Sequence, residues 1–363
     1  MRLVHTRFLD DGLGLWNHGQ PATLVEMEKE EDYDVLLRNI VESSYYDRAY
    51  FESHSGYREP SFLQRASALR PWTVLGNLRF LAQMAGLLQP RRALEVGCGR
   101  GDVLALLLRN DVEVCGIDFS DAVQRQLWPE VRPHFIAGDF GPVCDRLASG
   151  GERFDLILGF DIWEHLHPKS LHPHIESVLK TTSDDALLLL VIPAFGDDRI
   201  FGSQFPLEFE ENRRSFEERG VFRFLCVEKT EPLIPAAGHL IWAHAQWWER
   251  QFTSHGLFRA EELECALHAI FDDFLPHSNR SFFLFGRDTG AGRRRVAELK
   301  TGGLSPSSSV RVLMRLLPAA RRLRQGAGRV KEAARAVLPP RAWATLRSAR
   351  LASERVARSR FRP

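Results

Sequence analysis

Three observations predict an α/β fold with a doubly wound, mostly parallel sheet: short apolar runs alternate with helical patterns, a glycine-rich turn follows the first run, and an acidic residue ends the second. The runs are "RRALEVG" (Arg91 to Gly97), "VEVCGID" (Val112 to Asp118), "HFIAGD" (His134 to Asp139), "FDLILGF" (Phe154 to Phe160) and "ALLLLVIPAF" (Ala186 to Phe195). Each is nearly continuous and bounded by polar, Gly or Pro residues, as buried parallel strands are. Between them, "DVLALLLRN" (Asp102 to Asn110) and "IWEHLHPKSLHPHIESVLKT" (Ile162 to Thr181) carry helical apolar spacing, so strands and helices alternate. Upstream, Leu63 to Leu88 reads as helical material laid against the sheet. No internal repeat is visible.

At 363 residues, 44% hydrophobic and 26% charged, the chain can bury a full core in one large domain or two. It contains no apolar run long enough to span a bilayer, and "MRLVHTRFLDDG" lacks the apolar core of a secretory signal, so a cytoplasmic location is expected. Cys98, Cys115, Cys144, Cys226 and Cys265 are scattered, without a C-x-x-C pair, which argues against a disulfide framework and a zinc site.

The net charge of +1 conceals a division. Ala291 to Pro363 holds 19 basic against 3 acidic residues, leaving 29 against 44 in the preceding 290. With the Gly/Ser/Pro-rich "TGGLSPSSS" (Thr301 to Ser309) just beyond, the end of the folded domain is expected near Gly290. The expected organisation is a helical cap over 1–88, a cofactor-binding domain over 89–290 and a basic tail over 291–363.

Gly97, Gly99 and Gly101, in "EVGCGRG", stand where a strand must turn sharply into a helix. Glycine allows that turn, lets backbone N–H groups face a ligand and admits the ligand where a Cβ would clash. Asp118 ends the second strand 17 positions after Gly101, where a carboxylate can accept both hydroxyls of a ribose. Dinucleotide folds usually show G-x-G-x-x-G, whereas here the spacing is G-x-G-x-G with Glu95 two residues before it. A carboxylate beside the turn suits a cationic ligand better than a pyrophosphate.

With this motif the chain resembles the class I S-adenosylmethionine-dependent methyltransferases, most closely over Ala93 to Phe195. The resemblance implies a Rossmann-like seven-stranded sheet and S-adenosyl-L-methionine as cofactor. Gly97, Gly99 and Gly101 would wrap its methionine part, with Glu95 close by. Asp118 would hold the ribose with Phe119 beside the adenine, and Asp139 and Phe140, in "AGDF", would meet the adenine edge and face. Phe160 opens "FDIWEHL", which looks like the family's fourth motif, bordering the methyl group. "RSFFLFGRD" (Arg280 to Asp288) resembles the last antiparallel strand, while the strand expected before it is hard to find in "LFRAEELECALHAIFDDF".

Transfer to a hydroxyl needs a base or a metal to take its proton. His165, one turn into the helix expected after the fourth strand, is the first candidate base, flanked by Asp161 and Glu164. In some related enzymes acidic residues plus a histidine at this place hold a divalent metal. The D-x-x-E-H spacing here is loose, and no metal is expected. The long connection from Gly196 to His244 reads as a lid that recognises substrate. It supplies a second candidate base, His239, and Trp242; Trp247 and Trp248 follow it. These tryptophans would form a wall for a sugar or other ring, or would pack the helix Ala243 to His255 onto the sheet. Tyr57, in an aromatic N-terminal stretch, is placed in the cap over the cofactor.

The expected reaction is O-methylation of a sugar, a glycan intermediate or another small molecule. The alternatives are a nitrogen or lipid acceptor, a non-catalytic nucleoside-binding scaffold, and a nicotinamide dehydrogenase. Over 310–362, apolar residues recur with near-helical spacing among arginines, which suits an anionic membrane surface or an acidic partner. Nucleic acid is not expected there, since aromatics for base stacking are nearly absent.

Overall fold

The computed structural model describes residues 2–4, 22–42, 76–203, 210–228, 232–275, 280–306 and 311. The chain begins with strands β1 (Arg2–Val4) and β2 (Ala22–Glu26), then helices α1 (Glu31–Glu42) and α2 (Gly76–Leu87). The alternating region follows as β3 (Arg92–Val96), α3 (Asp102–Leu108), β4 (Glu113–Asp118), α4 (Asp121–Gln126), β5 (Phe135–Ala137), α5 (Phe140–Ser149), β6 (Phe154–Phe160), α6 (Leu171–Lys180) and β7 (Thr182–Val191). Beyond it come α7 (Glu210–Arg219), β8 (Phe224–Glu228), β9 (Ile234–Pro235), α8 (Ala245–Thr253), β10 (Leu257–Arg259), α9 (Glu261–Phe271), β11 (Phe282–Arg287) and α10 (Gly290–Gly302).

The main sheet has seven strands in the order β10-β11-β7-β6-β3-β4-β5. β3, β4, β5, β6 and β7 pair in parallel, and β11 enters antiparallel against β7, with Phe282 opposite Val191. β6 is buried along its whole length, which explains why its sequence shows no polar alternation. The strand missing from the sequence reading is β10, three residues long and antiparallel to β11.

The connection over 196–244 is more than a lid. Its strands β8 and β9 join β2 and β1 in a second, four-stranded antiparallel sheet of order β1-β2-β8-β9. The expected helical cap therefore contributes two strands as well as helices. Buried Tyr33 on α1 fixes this layer by accepting the Phe222 N–H at 2.9 Å, and Asn39 donates to the Leu233 carbonyl at 2.7 Å. Leu24, Val25, Tyr33 and Leu36 join the same hydrophobic core as Leu94, Ile157 and Leu188 of the main sheet.

Two compact units divide the chain, Met1–Ser305 and Pro306–Pro363, and all the named elements belong to the first. The expected boundary at Gly290 is thus corrected to about Ser305. Arg295 on α10 is the physical reason: its guanidinium donates to the backbone carbonyls of Asp155, Asp185 and Leu88 at 2.7, 3.1 and 3.1 Å. The boundary reading took a basic helix for the start of a tail.

Candidate active site

Four connections leave the C-terminal ends of adjacent parallel strands, where open α/β sheets bind ligands. They are the glycine turn after β3, Asp118 at the end of β4, Asp139 after β5 and Asp161 after β6. All three glycines of the turn hold left-handed backbone, with φ of 68°, 51° and 73° at Gly97, Gly99 and Gly101. A Cβ at Gly101 would stand 2.6 Å from Val131 Cγ1, and one at Gly97 would stand 2.7 Å from Ile162 Cγ1. The second contact ties the turn to the segment that begins the fourth motif.

Carboxylates ring this turn. Asp118 accepts the Gly99 N–H at 3.0 Å and the Ser120 N–H at 2.9 Å, so it braces the turn from the neighbouring strand. Buried Asp102, which the sequence reading missed, accepts from Trp128 Nε1 at 2.8 Å and pairs with Arg100 at 3.1 Å. Its only sequence signal is an acidic residue in the first turn of α3. Glu95 is 4% exposed and its Oε2 has no hydrogen-bond partner. Burial, reinforced by the charges of Asp102 and Asp118, holds its carboxyl well above the usual range, and burial also raises those of Asp118 and Asp102. An unsatisfied buried acceptor inside a ring of carboxyl groups, which a cation would draw into their charged forms, fits the ammonium and sulfonium of S-adenosylmethionine and disfavours a pyrophosphate.

The aromatic candidates divide. Phe119 is 58% exposed. Phe140 and Phe160 are buried, and Phe140 stands edge-on to Trp163 and His174 with centroids 5.4 and 4.7 Å away. Asp139 caps α5 by accepting the Gly141 N–H at 3.0 Å, and the same Oδ1 lies 2.8 Å from His174 Nε2. Tyr57 lies outside the described residues, as does the tail over 310–362 except Arg311.

The two candidate bases, 74 positions apart in sequence, come together. His165 is not inside a helix as expected: it ends a short 3₁₀ turn, Trp163–His165, ahead of α6. His239 follows a second such turn, Ala236–Gly238, in which Ala237 holds a left-handed φ of 54°. The two imidazoles stand nearly perpendicular with centroids 4.8 Å apart. Between them Glu164 is completely buried, its Oε1 3.8 Å from His165 Nε2 and 3.7 Å from His239 Nε2. The Glu164 backbone carbonyl accepts the N–H groups of Leu240 and Ile241 at 2.7 and 3.0 Å, which clamps the His239 segment to the fourth motif. Asp161, exposed with a left-handed φ of 52°, turns the chain out of β6 toward this cluster. Burial and the charge of Asp161 push the Glu164 carboxyl well up from its ordinary value.

The aromatic wall is corrected. Trp242, Trp247 and Trp248 are all buried, with Trp247 packed edge-on against Phe216 and Trp248 and Trp242 tilted against Phe195. They hold the insertion onto the sheet.

A family model described as a methyltransferase domain matches residues 67–270, more than half of the chain. No curated protein sequence matches the chain. Among solved structures, a Burkholderia thailandensis 1,6-didemethyltoxoflavin-N1-methyltransferase, with bound 1,6-didemethyltoxoflavin and S-adenosylhomocysteine, is 15% identical at a TM-score of 0.39. The match covers 78% of this chain and 96% of that one. The CcbJ methyltransferase from Streptomyces caelestis is 15% identical at a TM-score of 0.36, covering 58% of this chain and 89% of that one. A SAM-dependent methyltransferase from Archaeoglobus fulgidus is 15% identical at a TM-score of 0.37, covering 66% and 98% respectively.

Proposed function

We propose that this chain, which belongs to the methyltransferase-domain family of S-adenosylmethionine-dependent enzymes, methylates an oxygen of a small molecule, the proton leaving to the cluster of Glu164, His165 and His239. The enzyme class and the cofactor follow from family membership. When bound, S-adenosylmethionine supplies a methyl group on a sulfonium, and its transfer is an in-line displacement that depends on alignment and exclusion of water.

The chain's own residues divide the work. Gly97, Gly99 and Gly101 admit the cofactor, Glu95 faces its ammonium, Asp118 takes the ribose and Phe119 covers the adenine. Asp139, Phe140 and Phe160 complete that side, Asp139 by fixing the start of α5 and the two phenylalanines as buried apolar surface. Asp161 carries the backbone into the cluster. The convergence of two imidazoles and a buried carboxylate beside the glycine turn carries the reading. A hydroxyl holds its proton at neutral pH, and a cluster of this kind is what its removal demands. The buried tryptophans withdraw the argument for a sugar in particular, so a sugar or glycan intermediate is one member of a wider class of hydroxylated acceptors.

The test pairs calorimetry with turnover. S-adenosylhomocysteine is expected to bind with micromolar affinity, NAD not to bind, and Asp118→Ala to lose the binding. Methyl transfer from labelled S-adenosylmethionine to a panel of hydroxylated small molecules is expected to fall at least 100-fold in His165→Ala and His239→Ala, with S-adenosylhomocysteine affinity retained. Unchanged turnover in both variants would remove the cluster from the reaction.

A further inference from the structure

We propose that Glu164, His165 and His239 form a binding site for one divalent first-row transition-metal cation, held by a carboxylate oxygen and two imidazole nitrogens. This departs from the expectation of no metal, which was drawn from D-x-x-E-H alone, because the structure adds a donor from the second half of the insertion. Only the use of the metal rests on the proposed function; the site stands on its own geometry.

The donor set comes first. One ligand atom from each of the three residues lies within 4.8 Å of the others. The Nε2–Oε1 separations of 3.8 and 3.7 Å are too long for hydrogen bonds, so the imidazoles do not satisfy the carboxylate directly. Donors bound to zinc at about 2.0–2.1 Å in a tetrahedral site stand roughly 3.3 Å apart. The observed carboxylate–imidazole separations exceed that by roughly half an ångström, within side-chain adjustment.

Glu164 supplies an independent observation. Its side chain is 0% exposed, and neither carboxylate oxygen has a hydrogen-bond partner. A buried carboxylate left in that state is expensive, and a cation between it and the imidazoles resolves it.

The histidines are oriented for ligation. His165 Nδ1 lies 3.1 Å from the Gly238 carbonyl, which can only accept, so Nδ1–H donates and Nε2, 3.8 Å from Glu164 Oε1, is the nitrogen left to ligate. A backbone carbonyl that fixes the tautomer of a ligating histidine is the usual outer support of a metal site. His239 is delivered by a turn with left-handed backbone at Ala237 and Gly238, and by the clamp on the Glu164 carbonyl. Both imidazoles retain some exposure, 14% for His165 and 12% for His239, so one side of the cluster stays open to solvent. Three protein donors with an open side are the pattern of catalytic rather than structural metal sites. Two imidazoles with one carboxylate favour zinc, iron or cobalt over magnesium or calcium. With a metal bound, the histidines would act as ligands in place of the direct base of the proposed function, and a hydroxyl coordinated there would lose its proton to solvent more readily than a free one.

Cobalt(II) is the probe of choice, added to untagged full-length protein stripped with chelator. Visible absorption and calorimetry are expected to report one ion per chain, with zinc displacing it. His239→Asn should weaken binding at least 100-fold while S-adenosylhomocysteine affinity and far-UV circular dichroism stay unchanged. The partly exposed pair His172 and His255, whose Nδ1 and Nε2 lie 2.6 Å apart on α6 and just beyond α8, is the control: His172→Asn and His255→Asn should leave the cobalt spectrum as it was. Glu164→Gln is the second ligand variant. If it does not fold, His239→Asn decides. Absence of stoichiometric cobalt and zinc binding, or binding that survives His239→Asn, would overturn the site. Loss of turnover in the histidine variants without any metal binding would leave the proposed function standing with a direct base. Metal binding without hydroxyl methylation would do the reverse.

Discussion

At Gly101 an alanine would meet two penalties together: left-handed backbone, about 1–2 kcal/mol for a residue with a Cβ, and a close approach to Val131. Gly101→Ala is therefore expected to lower the thermal midpoint and to weaken S-adenosylhomocysteine at least tenfold by calorimetry; wild-type affinity would mean that the turn can relax. Glu95 predicts opposite signs for stability and binding. Removing a buried, unsatisfied acceptor by Glu95→Leu is expected to stabilise the ligand-free protein by about 1–3 kcal/mol, the desolvation penalty of such a group, while weakening S-adenosylmethionine. A parallel loss of both would show that the carboxylate serves the fold instead. These residues were legible in sequence because each need is local: a positive φ, an acid at a strand end, an acid before the turn. Phe140 was not, because only the tertiary arrival of Trp163 and His174 decides that it packs inward. His165 and His239 could each be singled out, but their meeting across Glu164 has no sequence signature.

Between elements, buried charge holds what short strands cannot. Arg259 in β10 is 1% exposed and grips Asp198 bidentately at 2.8 and 2.9 Å, while its Nε reaches Glu264 of α9 at 3.1 Å. Arg259→Met leaves two buried carboxylates without their cation, and a loss of about 3–5 kcal/mol is expected by denaturant unfolding; a loss below about 1 kcal/mol would mean that solvent reaches the acids. This arginine also explains why β10 escaped detection: a three-residue strand ending in a basic residue reads as a loop until its partners from two other segments are known. β8 escaped for a related reason, since its partner β2 lies in the N-terminal segment and strand pairing at such separation leaves no local pattern. α5 and α6 are joined through Asp139 and His174. The His174 partner holds the Asp139 carboxyl below its usual value, and against the burial that would lower it, the Asp139 partner raises the His174 imidazole. The lowered acid stabilises the fold above about pH 4 and loses that contribution as pH falls through its folded value. The raised base stabilises it below about pH 6.5 and loses that contribution as pH rises through its folded value. The stability difference between wild type and His174→Gln is thus expected to peak between about pH 4 and 6.5 and to shrink on either side. A flat difference from pH 4 to 9 would show that the pair does not couple.

Over the whole molecule, the charge division survives the corrected boundary. Met1–Ser305 carries 33 basic against 45 acidic residues, and Pro306–Pro363 carries 15 against 2. No helix among the described residues is long and apolar enough to cross a membrane. We propose that the concentration of arginine in the last segment, with apolar residues at near-helical spacing in its sequence, draws the chain to an anionic lipid surface, an attraction worth about 1 kcal/mol per basic residue held near it. The full chain is therefore expected to co-sediment with phosphatidylserine-containing vesicles at low salt and to detach as ionic strength rises and the Debye length shortens. A chain ending at Ser305 keeps α10 and the Arg295 anchors, so it should bind S-adenosylhomocysteine as the full chain does while failing to sediment. Sedimentation of the shortened chain would move the lipid contact to the methyltransferase unit. Sedimentation of neither form would leave an acidic protein partner as the destination for the tail. A salt-insensitive association of the full chain would show that its leucines and valines, rather than its arginines, make the contact.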